Sequence, residues 1–130
     1  MTIEQILWMV FSSLLSGLLG VGISTYYYRR HENRRWKVDT LKRLMANRYD
    51  LVGDEFSRAL NEIFVVYSDS ELVMASLAKH HKAVTTPGLN TEDEILTLLK
   101  AMCKEVDVSY KEVNDSFFLC PYNTRIKSKP

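Results

Sequence analysis

Charge is almost missing from the first 28 residues: between Met1 and Tyr28 the only charged side chain is Glu4. Cysteine is scarce as well. Cys103 and Cys120 are too few for a disulfide scaffold, and in a cytoplasmic domain both are expected as free thiols. Glycine and proline are both missing from Arg29 to Arg48, so nothing there stops a helix from running on. The signatures of several enzyme classes are missing too: a Gly-rich phosphate loop, H-E-x-x-H and G-x-S-x-G. Nor do His31, His80 and His81 join the cysteines at metal-ligand spacing. We therefore expect no catalytic residues, no metal ligands and no cofactor. The chain has no internal repeat and no low-complexity tract.

What is present is segregated. Arg29 to Arg48 holds eight Lys or Arg against Glu32 and Asp39, a net of +6, whereas Tyr49 to Cys120 has a net of −7. Arg125, Lys127 and Lys129 make the last ten residues +3, so a chain of net +1 is a basic collar, an acidic body and a short basic tail.

Ile6 to Tyr28 is an uncharged run of 23 residues, and about 20 apolar residues cross the hydrocarbon core of a bilayer. Trp8 lies near one end and Tyr26, Tyr27 and Tyr28 at the other, where amphipathic rings favour the headgroup layer. A cleaved signal peptide would have its basic residues on the other side and small residues at a cleavage site. A core helix rarely runs this long without a charge. Short flanks rich in Lys and Arg stay in the cytoplasm, so we expect a single-pass protein of the bacterial inner (plasma) membrane, N-terminus outside and body inside.

Within that run Ser12, Ser16, Gly20 and Ser24 recur every four residues, and Ser13, Gly17, Gly20 and Ser24 follow a 4-3-4 spacing. Small residues let membrane helices approach closely, and serines can hydrogen-bond across the contact. These residues are the candidate oligomerisation or pore face of a homo-oligomer, a tetramer being one candidate size. The bland alternative is that Gly and Ser are simply common in membrane helices.

The remainder reads as all-α: the transmembrane helix continues into a compact cytoplasmic domain of about four helices. The divisions expected are 1–28 for the outer terminus and span, 29–48 for a basic juxtamembrane helix, 49–120 for the helical domain and 121–130 for a flexible basic tail. Trp36, Leu41, Leu44 and Met45 share a stripe. A second helix from about Asp54 to Tyr67 buries Phe56, Leu60, Ile63 and Phe64. A third, capped by Ser68, Asp69 or Ser70, reaches about His81 with Leu72, Val73 and Leu77 inward. After the TTPGLN loop, Thr91 and Glu94 form a capping box for a helix burying Ile95, Leu98, Leu99, Met102 and Val106. Ser109 and Glu112 repeat that signature before a short helix carrying Val113 and Phe117.

Three stretches, LKRLMANR (Leu41–Arg48), EFSRALNEIFVVY (Glu55–Tyr67) and LLKAMCKEVDVSYKEVNDSFFLCPYN (Leu98–Asn123), resemble a bacterial family of uncharacterised small proteins with an N-terminal membrane helix and a helical domain. The chain departs from the family pattern at Val106-Asp107-Val108, where a glycine-tyrosine pair is expected, and at Leu119-Cys120, where a tyrosine precedes the final proline. In architecture it also resembles the membrane effector of Hailong-type anti-phage defence. That resemblance implies an ion-conducting or membrane-perturbing helix bundle, a nucleotide or oligonucleotide ligand and a cognate nucleotidyltransferase partner.

The collar has two readings. Beside a membrane each Lys or Arg attracts anionic lipid by roughly 1 kcal/mol, and the same residues can contact phosphates of a ligand. Arg43 and Arg48, with Lys42, lie far enough from the span for lipid to explain them less well. With Lys79, His80 and Lys82 they are the candidate phosphate-binding residues. For Lys79–Lys82 the plainer reading is a solvated helix end whose charges favour the C-terminal dipole. Two functions remain: a self-associating membrane effector, or a passive anchor that recruits a soluble partner protein.

Overall fold

The computed structural model describes residues 1–122. Among them the chain is all-α, with helices α1 (Ile3–Asn47), α2 (Asp54–Val66), α3 (Glu71–Thr85), α4 (Glu92–Glu105) and α5 (Asp115–Leu119). All but the first two residues of the expected basic tail lie outside the described residues. The chain divides into two compact units after Arg34.

The first unit is helix alone. No proline interrupts it, and at 1.5 Å per residue its helix from Ile3 to Arg34 is about 48 Å long. Every side chain from Met1 to His31 is exposed. Trp8 meets Phe11 edge-on at 6.3 Å and Tyr26 meets Tyr27 at 5.8 Å.

The second unit closes around Leu44, Phe56, Ile63, Tyr67, Val73, Ile95, Leu98 and Met102, all fully buried. From α1 it takes Lys37, Thr40, Leu41 and Leu44, an i, i+3, i+4, i+7 stripe. The expected stripe through Trp36 is therefore rotated: Trp36 is exposed, and a lysine and a threonine take the inward positions. On α2 the stripe is Phe56, Ala59 and Ile63, ending on the capping residue Tyr67. Phe64, next after Ile63, points about 100° away from that stripe and is 65% exposed, contrary to expectation.

Ser70 caps α3, its Oγ accepting from the Val73 amide at 3.3 Å. This helix runs one turn beyond His81 and turns Val73, Ser76, His80 and Ala83 inward, while Leu72 is exposed. Ser76 is tolerated there because its hydroxyl donates to the Leu72 carbonyl at 2.9 Å.

Two expected caps do not form. Thr91 has helical backbone angles and its side chain caps nothing; instead the Glu92 amide donates to Asn90 Oδ1 at 2.9 Å. Ser109 and Glu112 start no helix, and the Val113 amide closes a turn on the Tyr110 carbonyl. Asn114 is the real cap of α5, accepting from the Phe117 amide at 3.2 Å. Val113 thus packs on the core from a turn, and Phe118 rather than Phe117 is the buried ring of α5.

At the end of α4 Asp107 takes a positive φ of 58°. The Val108 amide then donates to the Cys103 carbonyl at 2.9 Å, the bond of a Schellman ending.

Candidate functional site

Three places can bear function. The first is the apolar part of α1. This is the one helix among the described residues long and apolar enough to cross a membrane, with a mean hydropathy of 2.0 over its best 18-residue window and none of that window buried. Leu7, Trp8, Phe11, Leu14, Leu18, Leu19 and Val21 are all more than half exposed, so the helix is apolar all round with no protein covering it. Ser12, Ser13, Ser16, Gly17, Gly20 and Ser24 are likewise open. A methyl group added at Gly17, Gly20 or Gly22 would meet no atom within 4 Å. The helix thus presents a backbone surface that a neighbouring helix can approach closely.

The second place is ionic. Lys37 is buried, and its Nζ lies 2.8 Å from Asp69 and 3.1 Å from Glu105. The Tyr67 hydroxyl donates to the Lys37 carbonyl at 2.7 Å, and the ammonium stands 5.8 Å from the Tyr67 ring centre. Burial opposes the Lys37 charge, but the hydrogen bonds to Asp69 and Glu105 outweigh it and raise its pKa. Burial also pushes the Tyr67 hydroxyl well up, so it stays protonated and donating. Composition and spacing held no sign of this cluster: its members are 32 and 68 residues apart. The one signal was a lysine on the apolar stripe of α1.

The six candidate phosphate-binding residues divide into two sets. Arg43 pairs with Glu62, which also accepts from Thr40. Arg48 lies over the Phe117 ring at 4.9 Å, donates its Nε to the Phe117 carbonyl at 3.3 Å and reaches the Met45 carbonyl. It thereby satisfies an end-of-helix carbonyl and holds α5. His80 is buried. Only Lys42, Lys79 and Lys82 are exposed side chains with no partner in the described residues. Cys103 is buried and burial pushes its thiol up, which makes it a poor nucleophile. Among the described residues no cluster of His, Cys, Asp and Glu could hold a metal ion.

The third place is a half-open groove of about 930 Å³ in the second unit. Phe56, Leu60 and Phe64 of α2 form one wall, and Met74, Leu77 and Val84 of α3 the other. The groove is what remains when α2 turns Phe64 away from the core.

Comparison with known proteins gives one match. The model of a family of unknown function, DUF6680, matches residues 1–116. No curated protein and no solved structure matches.

Proposed function

Since the chain belongs to DUF6680, a family with no assigned activity, we propose a function from its own residues: a homo-oligomeric single-pass membrane effector. The observation that carries this reading is the fully exposed, all-round apolar part of α1 with its open Gly and Ser face. In water such a surface would aggregate; in a bilayer it can meet lipid on one side and a second copy on the other. The basic collar supports an outside N-terminus and a cytoplasmic body at a bacterial inner membrane. The body assembles or gates the helix bundle, which perturbs the membrane or conducts ions.

The architectural resemblance extends this reading to anti-phage defence under a nucleotide or oligonucleotide signal made by a partner nucleotidyltransferase. The engaged state of Arg43 and Arg48 moves that part of the reading to Lys42, Lys79 and Lys82. Reversing the charge of those three should abolish oligonucleotide binding by the full chain, and unchanged binding would remove the ligand from the scheme.

Replacing Gly17 and Gly20 together with Leu tests the core of the reading. Each leucine adds bulk where backbones should touch, so cross-linked oligomers and membrane leakage should both fall at least tenfold, about 1.4 kcal/mol or more. Oligomers and leakage that survive this change, or survive exchange of the span for an unrelated one, would favour a second reading. That reading is an anchor whose body recruits a soluble partner protein. The groove favours it, because Val52 and Phe64 at its rim are 92% and 65% exposed.

A further inference from the structure

The cations of the collar are of two kinds, and they change over at one point in the chain. The four nearest the apolar run, Arg29, Arg30, Arg34 and Arg35, are all arginine, and lysine first appears at Lys37. General attraction to an anionic membrane does not require that choice, since either side chain provides it. What arginine adds is a planar fork that holds a phosphate through two parallel hydrogen bonds.

Arg29, Arg30 and Asn33 are all exposed and stand on the same uninterrupted helix. Asn33 is i+4 to Arg29 and i+3 to Arg30, so it lies one turn beyond both and next to each. The three therefore share one face and offer it two guanidiniums and a carboxamide. Neither arginine has a hydrogen bond or an ion pair with another described residue. Glu32, the one carboxylate between Tyr28 and Val38, lies about 110° round the helix from the middle of that face.

The direction of the chain decides where these donors point. Each Cα–Cβ bond of an α-helix tilts toward the N-terminus. With the N-terminus outside, side chains that follow the span lean back toward the bilayer. Arg29 and Arg30 come directly after Tyr28, and Asn33 is about 7.5 Å beyond it along the axis. The headgroup layer is about 5–8 Å deep on each side of the hydrocarbon core. All three side chains thus reach the level of the lipid phosphates.

The donor set also selects among headgroups. A phospholipid whose phosphate is followed by an uncharged group brings a net negative charge and acceptor oxygens only. A zwitterionic headgroup brings an ammonium, which the two arginines repel. An oligonucleotide carries many phosphates, and its affinity rises with the number of cations it meets. This face offers it two, at the level of a competing layer of lipid phosphates.

We propose that Arg29, Arg30 and Asn33 bind the phosphate of one anionic phospholipid, of the phosphatidylglycerol class, in the cytoplasmic leaflet. The site rests on the spanning reading given above but needs neither oligomers nor a conducting bundle.

Native mass spectrometry of the full chain released from nanodiscs tests it. The discs hold equal amounts of phosphatidylglycerol and phosphatidylcholine. The unaltered chain should retain one phosphatidylglycerol, preferred roughly tenfold over phosphatidylcholine. Arg29→Lys with Arg30→Lys preserves the charge but removes both forks, and should cut that preference roughly fivefold. Asn33→Asp and Arg35→Gln each lower the net charge by one, but only the first puts a carboxylate in the site. Asn33→Asp should abolish the preference and Arg35→Gln should leave it. Equal effects of those two, or full preference in the double lysine variant, would make the attraction diffuse and overturn the site. Loss of the lipid to an added oligonucleotide would overturn it as well, by giving the face to a soluble polyanion. A chain that does not travel with the discs overturns the spanning reading and the site together. An embedded chain that retains both lipids equally overturns the site alone. The lipid ratio on the unaltered chain decides the matter even if a variant fails to fold.

Discussion

Replace Lys37 with methionine and the body loses a charge but keeps the apolar stem that fills the same space. The size of the loss follows from an uneven cluster. The lysine side chain is 9% exposed, whereas Asp69 is 63% and Glu105 30% exposed. Breaking a fully buried pair costs about 3–5 kcal/mol, and an exposed pair is worth about 0–1. Here the orphaned carboxylates can regain water, so Lys37→Met should cost about 2 kcal/mol. Glu105→Gln should cost about 1 kcal/mol, and Asp69→Asn, at the wetter end, about 0.5. Lys37→Met and Glu105→Gln together should fall short of their sum by about 1 kcal/mol, since each removes the same contact. Urea unfolding of the full chain in nanodiscs, followed by far-UV circular dichroism, measures all four.

The same cluster sets a pH dependence. The Lys37 pKa is raised on folding, so its contribution is complete below the unfolded lysine value and disappears as pH rises through the folded one. Tyr67, also raised, acts in the same direction. Stability should therefore fall in the alkaline range, and less steeply in Lys37→Met. A variant within about 0.5 kcal/mol of the parent, with additive doubles, would refute the reasoning and leave Lys37 as a surface lysine with a covered stem.

Arg48→Lys should cost about 1–2 kcal/mol although it preserves the charge, because an ammonium can neither stack flat on Phe117 nor serve two carbonyls in one plane; thermal unfolding reads this directly. Asp107→Gly should stabilise by about 1 kcal/mol, since glycine takes the positive φ without strain; a loss would mean that the aspartate side chain supports the turn. His80 has a lowered pKa, so the unfolded chain binds its proton more readily and stability is lost as pH falls below the ordinary histidine value. His80→Phe should flatten that acid limb, and an unchanged limb would assign it to other groups.

Helix positions were largely legible because they rest on local rules. The uncharged run, the loop around Pro87 and the α4 stripe from Ile95 to Val106 are all readable from spacing. The inward faces were less so, because an inward position does not need an apolar residue. Thr40, Ser76 and His80 face inward, while Trp36, Phe64 and Leu72 face outward. The caps that differ have another cause. Asn90 stands beside Thr91, and Asn114 two residues after Glu112, and in each case the asparagine accepts from an amide at the helix start, Glu92 or Phe117, in place of the expected box. Of the candidate phosphate-binding residues, position alone could not separate Arg43 and Arg48 from Lys42. Their partners Glu62 and Phe117 arrive from 19 and 69 residues away.

Lys37 leaves the ribosome 32 residues before Asp69 and 68 before Glu105. Arg43 and Arg48 likewise emerge well before Glu62 and Phe117. While the proposed span is being inserted, all of these cations stand bare beside it, and an insertion machinery that weighs Lys and Arg counts every one. Once the body has folded, Lys37 and Arg43 are neutralised and Arg48 is occupied. The collar thus carries one charge at birth and a smaller one in the finished protein. On the proposed reading, orientation and lipid attraction would therefore answer to different residues. Deleting Glu62 or Glu105 should leave the direction of insertion alone and strengthen only the mature protein's hold on anionic lipid. Exchanging Lys37 and Glu105 would keep one ion pair but set a carboxylate beside Asp69, so it should weaken both the folded cluster and the signal read during synthesis.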